Sequence, residues 1–161
     1  MRLWPISLLP YLPRQQLLGQ HRECCALRGL GWGRNHKTVN FVFRHPYYWL
    51  YLYHLFVIEE MAIRGYFVDS SWMCYYNYRG SKLGFDKSEF TSPSELFPNM
   101  ESRIYPEFDK DYEEECLDNL LKKGIDIRTE MLHQIQYEQG LDVVPGIVVE
   151  KALYESERTN R

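Results

Sequence analysis

A chain of 161 residues suits one domain that buries about 70% of the surface its unfolded form exposes, so a sizeable core is possible. Its four cysteines, at positions 24, 25, 74 and 116, form neither a CxxC pair nor a regular framework, which excludes a disulfide scaffold and points to reduced thiols in an intracellular, cytoplasmic protein. The net charge of −3 hides an uneven distribution: residues 1–46 carry seven Lys and Arg against the single acid Glu23, a balance of +6, while the remainder carries 12 basic and 21 acidic residues, a balance of −9. A concentrated basic segment attracts phosphate even within an acidic protein.

The chain opens with MRLWPISLLPYLP, a charge followed by apolar residues. Pro5, Pro10 and Pro13 interrupt any run long enough for a signal peptide, and the terminus is expected to be mature. From Pro13 to Arg28 the spacing of Leu17, Leu18, Cys24 and Cys25 predicts a helix with one core-facing side. Glu23 falls nearly opposite, above Gly19 and close to Gln16 and Gln20, with Arg22 at the edge between the faces. A glycine in mid-helix costs about 1 kcal/mol against alanine, so Gly19 suggests a close approach to the backbone beneath an exposed Glu23. His21 precedes Cys24 by three residues, but no second pair is spaced for a four-ligand zinc site, so neither metal nor cofactor is expected.

Next comes GLGWGRNHKTVNFVFR, a glycine-rich loop whose amides and cations suit phosphate, although it lacks the strand and helix of a nucleotide fingerprint. Val39 to Phe43 alternates like a short strand, or, in a helical protein, an extended loop. Pro46 to Arg64, closed by Gly65, reads as a helix apolar around most of its circumference and hence central. His54, Glu59 and Glu60 disqualify it as a membrane span. His36, His45 and His54 are read as capping or packing residues. In the loop-rich stretch that follows, Trp72, Tyr75, Tyr76 and Tyr78 interleave with Arg79 and Lys82, a mixture that can stack bases or pack over a core. Helices are expected at about Asp111–Lys123, with Tyr112, Cys116, Leu117 and Leu120 on one face, at Thr129–Gln139 and at about Pro145–Arg158. The fold class is therefore all-α, a single compact domain over residues 1–161 with about five helices around a long central one.

The leucine-rich first helix with Gln15, Leu17 and the Arg22-Glu23 pair, and the long helix ending in Arg64-Gly65-Tyr66, resemble the pyrimidine-dimer DNA glycosylase family over residues 1 to about 80. LPRQQLLGQHRECCALRGLGWG, Tyr78-Arg79-Gly80 and the Tyr105 to Ile125 segment also resemble a longer branch of that family, in which residues 81–161 form a C-terminal helical extension.

That resemblance implies a DNA-repair glycosylase and AP lyase, a monomer acting on damaged double-stranded DNA, in which an N-terminal α-amine attacks the sugar C1′ and forms an imine. Glu23 matches the assisting glutamate, and Arg22 matches a phosphate-holding arginine. Because Arg2 is bulky, the initiator is expected to stay, which makes Met1 the nucleophile. An α-amine with a pKa near 7.8 is roughly 30% neutral at physiological pH, against about 0.1% for a lysine. Ala26 stands where the family has a DNA-binding arginine, a loss that Arg28 is expected to offset. The expected DNA-binding set is Arg2, Arg22, Arg28, Arg34 and Lys37. Two other readings fit the same residues: a nucleic-acid binding module without the chemistry, and a helical protein-interaction domain.

Overall fold

The computed structural model describes residues 2–29, 38–77, 85, 88 and 103–138. Every regular element longer than one residue among them is helical: 3-10 turns at Ile6–Tyr11, Asn40–Arg44 and Ser70–Met73, and the helices α1 (Arg14–Leu27), α2 (Tyr47–Ile63), α3 (Lys110–Lys122) and α4 (Arg128–Glu138). The expected helix at Pro145–Arg158 lies outside the described residues. Prolines 13 and 46 sit at the N-caps of α1 and α2, where a missing N–H is harmless, and Asp109 caps α3 by accepting from the Tyr112 N–H at 2.8 Å. Gly65 and Gly124 follow α2 and α3 with φ of 74° and 77°, a left-handed conformation that ends a helix without side-chain strain.

One expectation fails locally. Val39 to Phe43 contains a 3-10 turn rather than a strand, because the consecutive residues Phe41 and Val42 are both buried. Phe41 meets Tyr105, Phe108 and Tyr112 edge-on at 5.2–6.4 Å between ring centroids. A strand would send neighbouring side chains to opposite faces, whereas a helical turn lets both reach the core.

Helix α2 is the centre of the molecule. It buries Tyr47, Leu50, Tyr53, His54, Val57, Ile58, Glu60 and Met61, a set too broad for a single stripe, and α1 and the turns at Ile6–Tyr11 and Asn40–Arg44 pack against it. The main core cluster runs without a break from Leu3 to Ile127, so residues 104–127 share it with the N-terminal elements. Trp72 and Tyr75 are buried as well, which places them in packing rather than on a stacking surface, while Tyr76 is exposed.

Two buried guanidinium groups fasten these elements. Arg64, at the C-terminal end of α2, donates to Glu60 at 2.8 Å and to the carbonyls of Leu9, Pro10 and Leu12 at 2.6–3.1 Å, which ties the first 3-10 turn to α2. Arg28, just past α1, is wholly buried. Its five N–H donors meet Tyr47 Oη (2.8 Å), His54 Nδ1 (3.0 Å) and the carbonyls of Trp72 (2.8 Å), Cys74 (2.8 Å) and Asn77 (3.0 Å). None of these partners is an acid; the charge is offset by carbonyl dipoles and by the Tyr51 and Trp72 ring faces, each 5.2 Å away. Arg28 was expected on DNA, and in this arrangement it has no donor left for a phosphate. Arg28→Met leaves several buried acceptors unmatched and should lower unfolding free energy by at least about 2 kcal/mol in urea titrations, whereas the exposed Arg22→Met should stay within about 0.5 kcal/mol.

Arg28 also sets the protonation of a histidine chain. A guanidinium only donates, so His54 Nδ1 must accept and His54 Nε2 must carry the proton. That proton points at His21 Nδ1, 2.9 Å away, and Cys25 Sγ lies 3.7 Å from His21 Nε2. Burial first, then Arg28 and His21, hold His54 well below its ordinary pKa; burial, Arg22 and Arg28 lower His21. Both rings are therefore neutral when folded, while unfolded histidines take up protons below about pH 6.5. Stability is full above that pH and falls as the pH drops through it, by up to about 1.4 kcal/mol per pH unit for the buried His54 and by less for the partly exposed His21. Chemical denaturation at pH 7 and pH 5 should register this loss; equal stability at the two pH values would mean that the rings do not stay neutral.

Candidate active site

The face of α1 opposite the histidine chain carries Gln16, Gly19, Gln20 and Glu23, at spacings of three and four residues that align them along the helix. These residues line a cavity of about 430 Å³ together with Arg2, Trp4, Thr38, Asn119 and Lys123. Four segments thus meet around it: the N-terminal stretch, α1, the stretch at Thr38 and the end of α3.

Glu23 is 5% exposed, not solvated as its polar neighbours suggested. The polar face of α1 is covered by the N-terminal stretch and by α3, and no periodicity within α1 could reveal that cover. What sequence spacing did capture is the alignment of Glu23 with Gly19, Gln16 and Gln20. The close approach expected at Gly19 is not found among the described residues: a Cβ built there meets nothing within 4 Å, and the cavity wall has open space at this position.

The N-terminal stretch is held at every residue described. Arg2 pairs with Glu115 at 2.7 Å and lies over the Tyr112 ring at 5.6 Å. Tyr112 donates to the Leu3 carbonyl at 2.7 Å. Trp4 donates its N–H to Gln20 Oε1 at 2.7 Å, and the single proton of the Tyr53 hydroxyl is shared between the Trp4 carbonyl at 2.6 Å and Gln20 Oε1 at 3.0 Å. Because Trp4 N–H must face an acceptor, the Gln20 amide has one orientation, and its Nε2 has no acceptor among the described residues.

Of the residues expected in the site, Glu23 and Arg2 line the cavity, and Arg22 stands exposed on the same helix with no ion pair among the described residues. The ion pair with Glu115 takes up part of the donor capacity of Arg2 that was expected to serve DNA. Met1, Arg34 and Lys37 lie outside the described residues, and Arg28 is in the core. Sequence reading missed Trp4, Asn119 and Lys123. Asn119 on α3 and Lys123 at its C-cap sit about a hundred positions from Glu23, and nothing local links them to it; Lys123 Nζ lies 5.8 Å from the Trp4 ring centroid.

The arrangement combines an enclosed carboxylate, a fixed amide donor and two cations, which suits proton transfer to or from a bound anionic substrate. On the other face of α1, one ligand atom each from His21, Cys25 and His54 lies within 4.8 Å of the others, close enough for a metal ion. Sequence spacing did not foresee this cluster, since its third member comes from α2. Its chemistry fits a metal poorly: with Arg28 bonded to His54 Nδ1, the nitrogen facing the cluster keeps its proton, and binding would have to remove it beside a buried guanidinium. Gly19→Ala, which meets no neighbour and removes the helix penalty of glycine, should raise stability by about 0.5–1 kcal/mol; a loss would mean that the cavity wall is tighter than its geometry indicates.

Residues 1–74 match the model of the family described as pyrimidine dimer DNA glycosylase. No curated protein and no solved structure matches the chain. The matched segment holds α1, α2, Glu23 and the Gln20 junction, whereas the α3 side of the cavity lies beyond it.

Proposed function

We propose that the chain, whose residues 1–74 match the family described as pyrimidine dimer DNA glycosylase, is a glycosylase and AP lyase acting on damaged pyrimidines in duplex DNA through an imine formed on the α-amine of residue 1. The observation that carries this reading is that Glu23 and Arg2, the residue bonded to Met1, line one cavity.

In this reading the neutral amine attacks C1′, the C1′–N bond to the base breaks, and loss of a proton and opening of the sugar ring give the imine. Removal of a C2′ proton then expels the 3′ phosphate by β-elimination. Glu23, enclosed and beside the reacting carbon, carries protons in these steps. Arg22 is exposed for a phosphate, Lys123 lines the cavity mouth from α3, and Arg34 and Lys37 extend the basic segment. The family match points to DNA as the substrate class, and no helix among the described residues is long and apolar enough to cross a membrane.

Incision of a duplex carrying a cyclobutane pyrimidine dimer tests the proposal. The unmodified protein should cut the damaged strand, and Glu23→Gln should lose about 100-fold or more of that rate while keeping its melting temperature and its affinity for the duplex. A folded Glu23→Gln protein that incises at the unmodified rate, or an unmodified protein that binds without incising, would contradict it; the second outcome is what a binding module without chemistry produces.

A further inference from the structure

The Gln20 amide is the most constrained polar group in the cavity that the proposed reaction does not use. Gln20 lines the cavity and is 2% exposed, its oxygen is committed to Trp4 N–H and the Tyr53 hydroxyl, and its buried Nε2 has no acceptor among the described residues. A buried donor left without an acceptor costs about 1–3 kcal/mol, so a group of this kind in a cavity wall points to a ligand atom. Gln20 lies one helical turn from Glu23 on the same face, so a ligand atom beside the carboxylate is within reach of the amide.

The chemistry of the donor narrows the ligand. Phosphate oxygens are better met by the cations around the cavity, Arg2 and Lys123, than by a neutral amide. Base carbonyls leave with the base. The acceptor that stays with C1′ until the sugar opens is the ring oxygen bonded to it. We propose, resting on the glycosylase reading above, that Gln20 is a positioning residue whose Nε2–H donates to the ring oxygen O4′ of the deoxyribose held beside Glu23. This contact orients the ring so that C1′ faces the amine, and it persists when O4′ becomes a hydroxyl on ring opening.

Two abasic-site duplexes serve as probes: one with a tetrahydrofuran residue, and one with its carbocyclic counterpart, in which a methylene replaces the ring oxygen. Neither undergoes the reaction, so affinity alone is read. The unmodified protein should prefer the tetrahydrofuran duplex by about 3–10-fold, the range of one neutral hydrogen bond. Gln20→Glu keeps an acceptor for Trp4 N–H and Tyr53 and removes only the donor. At neutral pH its preference should fall to about one, and the added charge, which weakens both complexes, cancels in the ratio. A Gln20→Glu protein that keeps the unmodified ratio overturns the proposal. So does an unmodified protein that does not distinguish the probes, a result that needs no variant to fold. Dimer incision with a ratio of one would remove the Gln20 contact and leave the glycosylase reading standing; absence of incision removes both.

Discussion

The junction of Trp4, Gln20 and Tyr53 fixes the relation on which the rest of the site depends. The N-terminal stretch has no regular structure of its own before Ile6, so its position is set by hydrogen bonds from other elements. Gln20 on α1 and Tyr53 on α2 engage both the N–H and the carbonyl of Trp4, which satisfies a buried peptide unit and aligns the stretch over the Glu23 face of α1. Burial raises the Tyr53 hydroxyl well above its ordinary pKa, so it remains a donor across the physiological range. An apolar side chain at position 20 or 53 would leave that peptide unit unsatisfied in the core.

Around this junction the fold uses charge inside the protein in an unusual way. Arg28 and Arg64 are both buried, and each gathers backbone carbonyls from a neighbouring segment. Five matched donors offset the desolvation of a guanidinium better than a single salt bridge would, and planar geometry makes arginine the residue suited to the task. Consequently the basic N-terminal segment is less available to DNA than its charge suggests. Two of its seven cations, Arg2 and Arg28, are committed within the protein. Arg22 and Arg44 are exposed, although Arg44 also pairs with Glu107 at 3.2 Å.

Much of the helical frame was legible because it obeys local rules. Proline starts, glycine stops and apolar spacing locate α1, α2 and α3, and the all-around apolarity of α2 marks it as central. The Gln16-Gly19-Gln20-Glu23 stripe was legible for the same reason. The cover over that stripe was not, since it is made by Trp4, Asn119 and Lys123 from distant segments. Residue type misled at Arg28, where a cation beside a basic segment is indistinguishable in sequence from one that satisfies five buried acceptors. It misled again at Val39 to Phe43, where β-branched and aromatic residues imitate a strand although a turn buries both Phe41 and Val42.

In the proposed reaction the nucleophile is the α-amine of residue 1, next to an anchored stretch that lines the cavity of the buried Glu23. That assignment is tested most directly by reducing the reaction of the protein and a dimer-containing duplex with borohydride and mapping the DNA adduct by peptide mass spectrometry. The account predicts the adduct on the α-nitrogen of Met1 and none in a terminally acetylated protein. An adduct on a lysine such as Lys37, Lys82 or Lys123, or one that survives acetylation of the terminus, would contradict it.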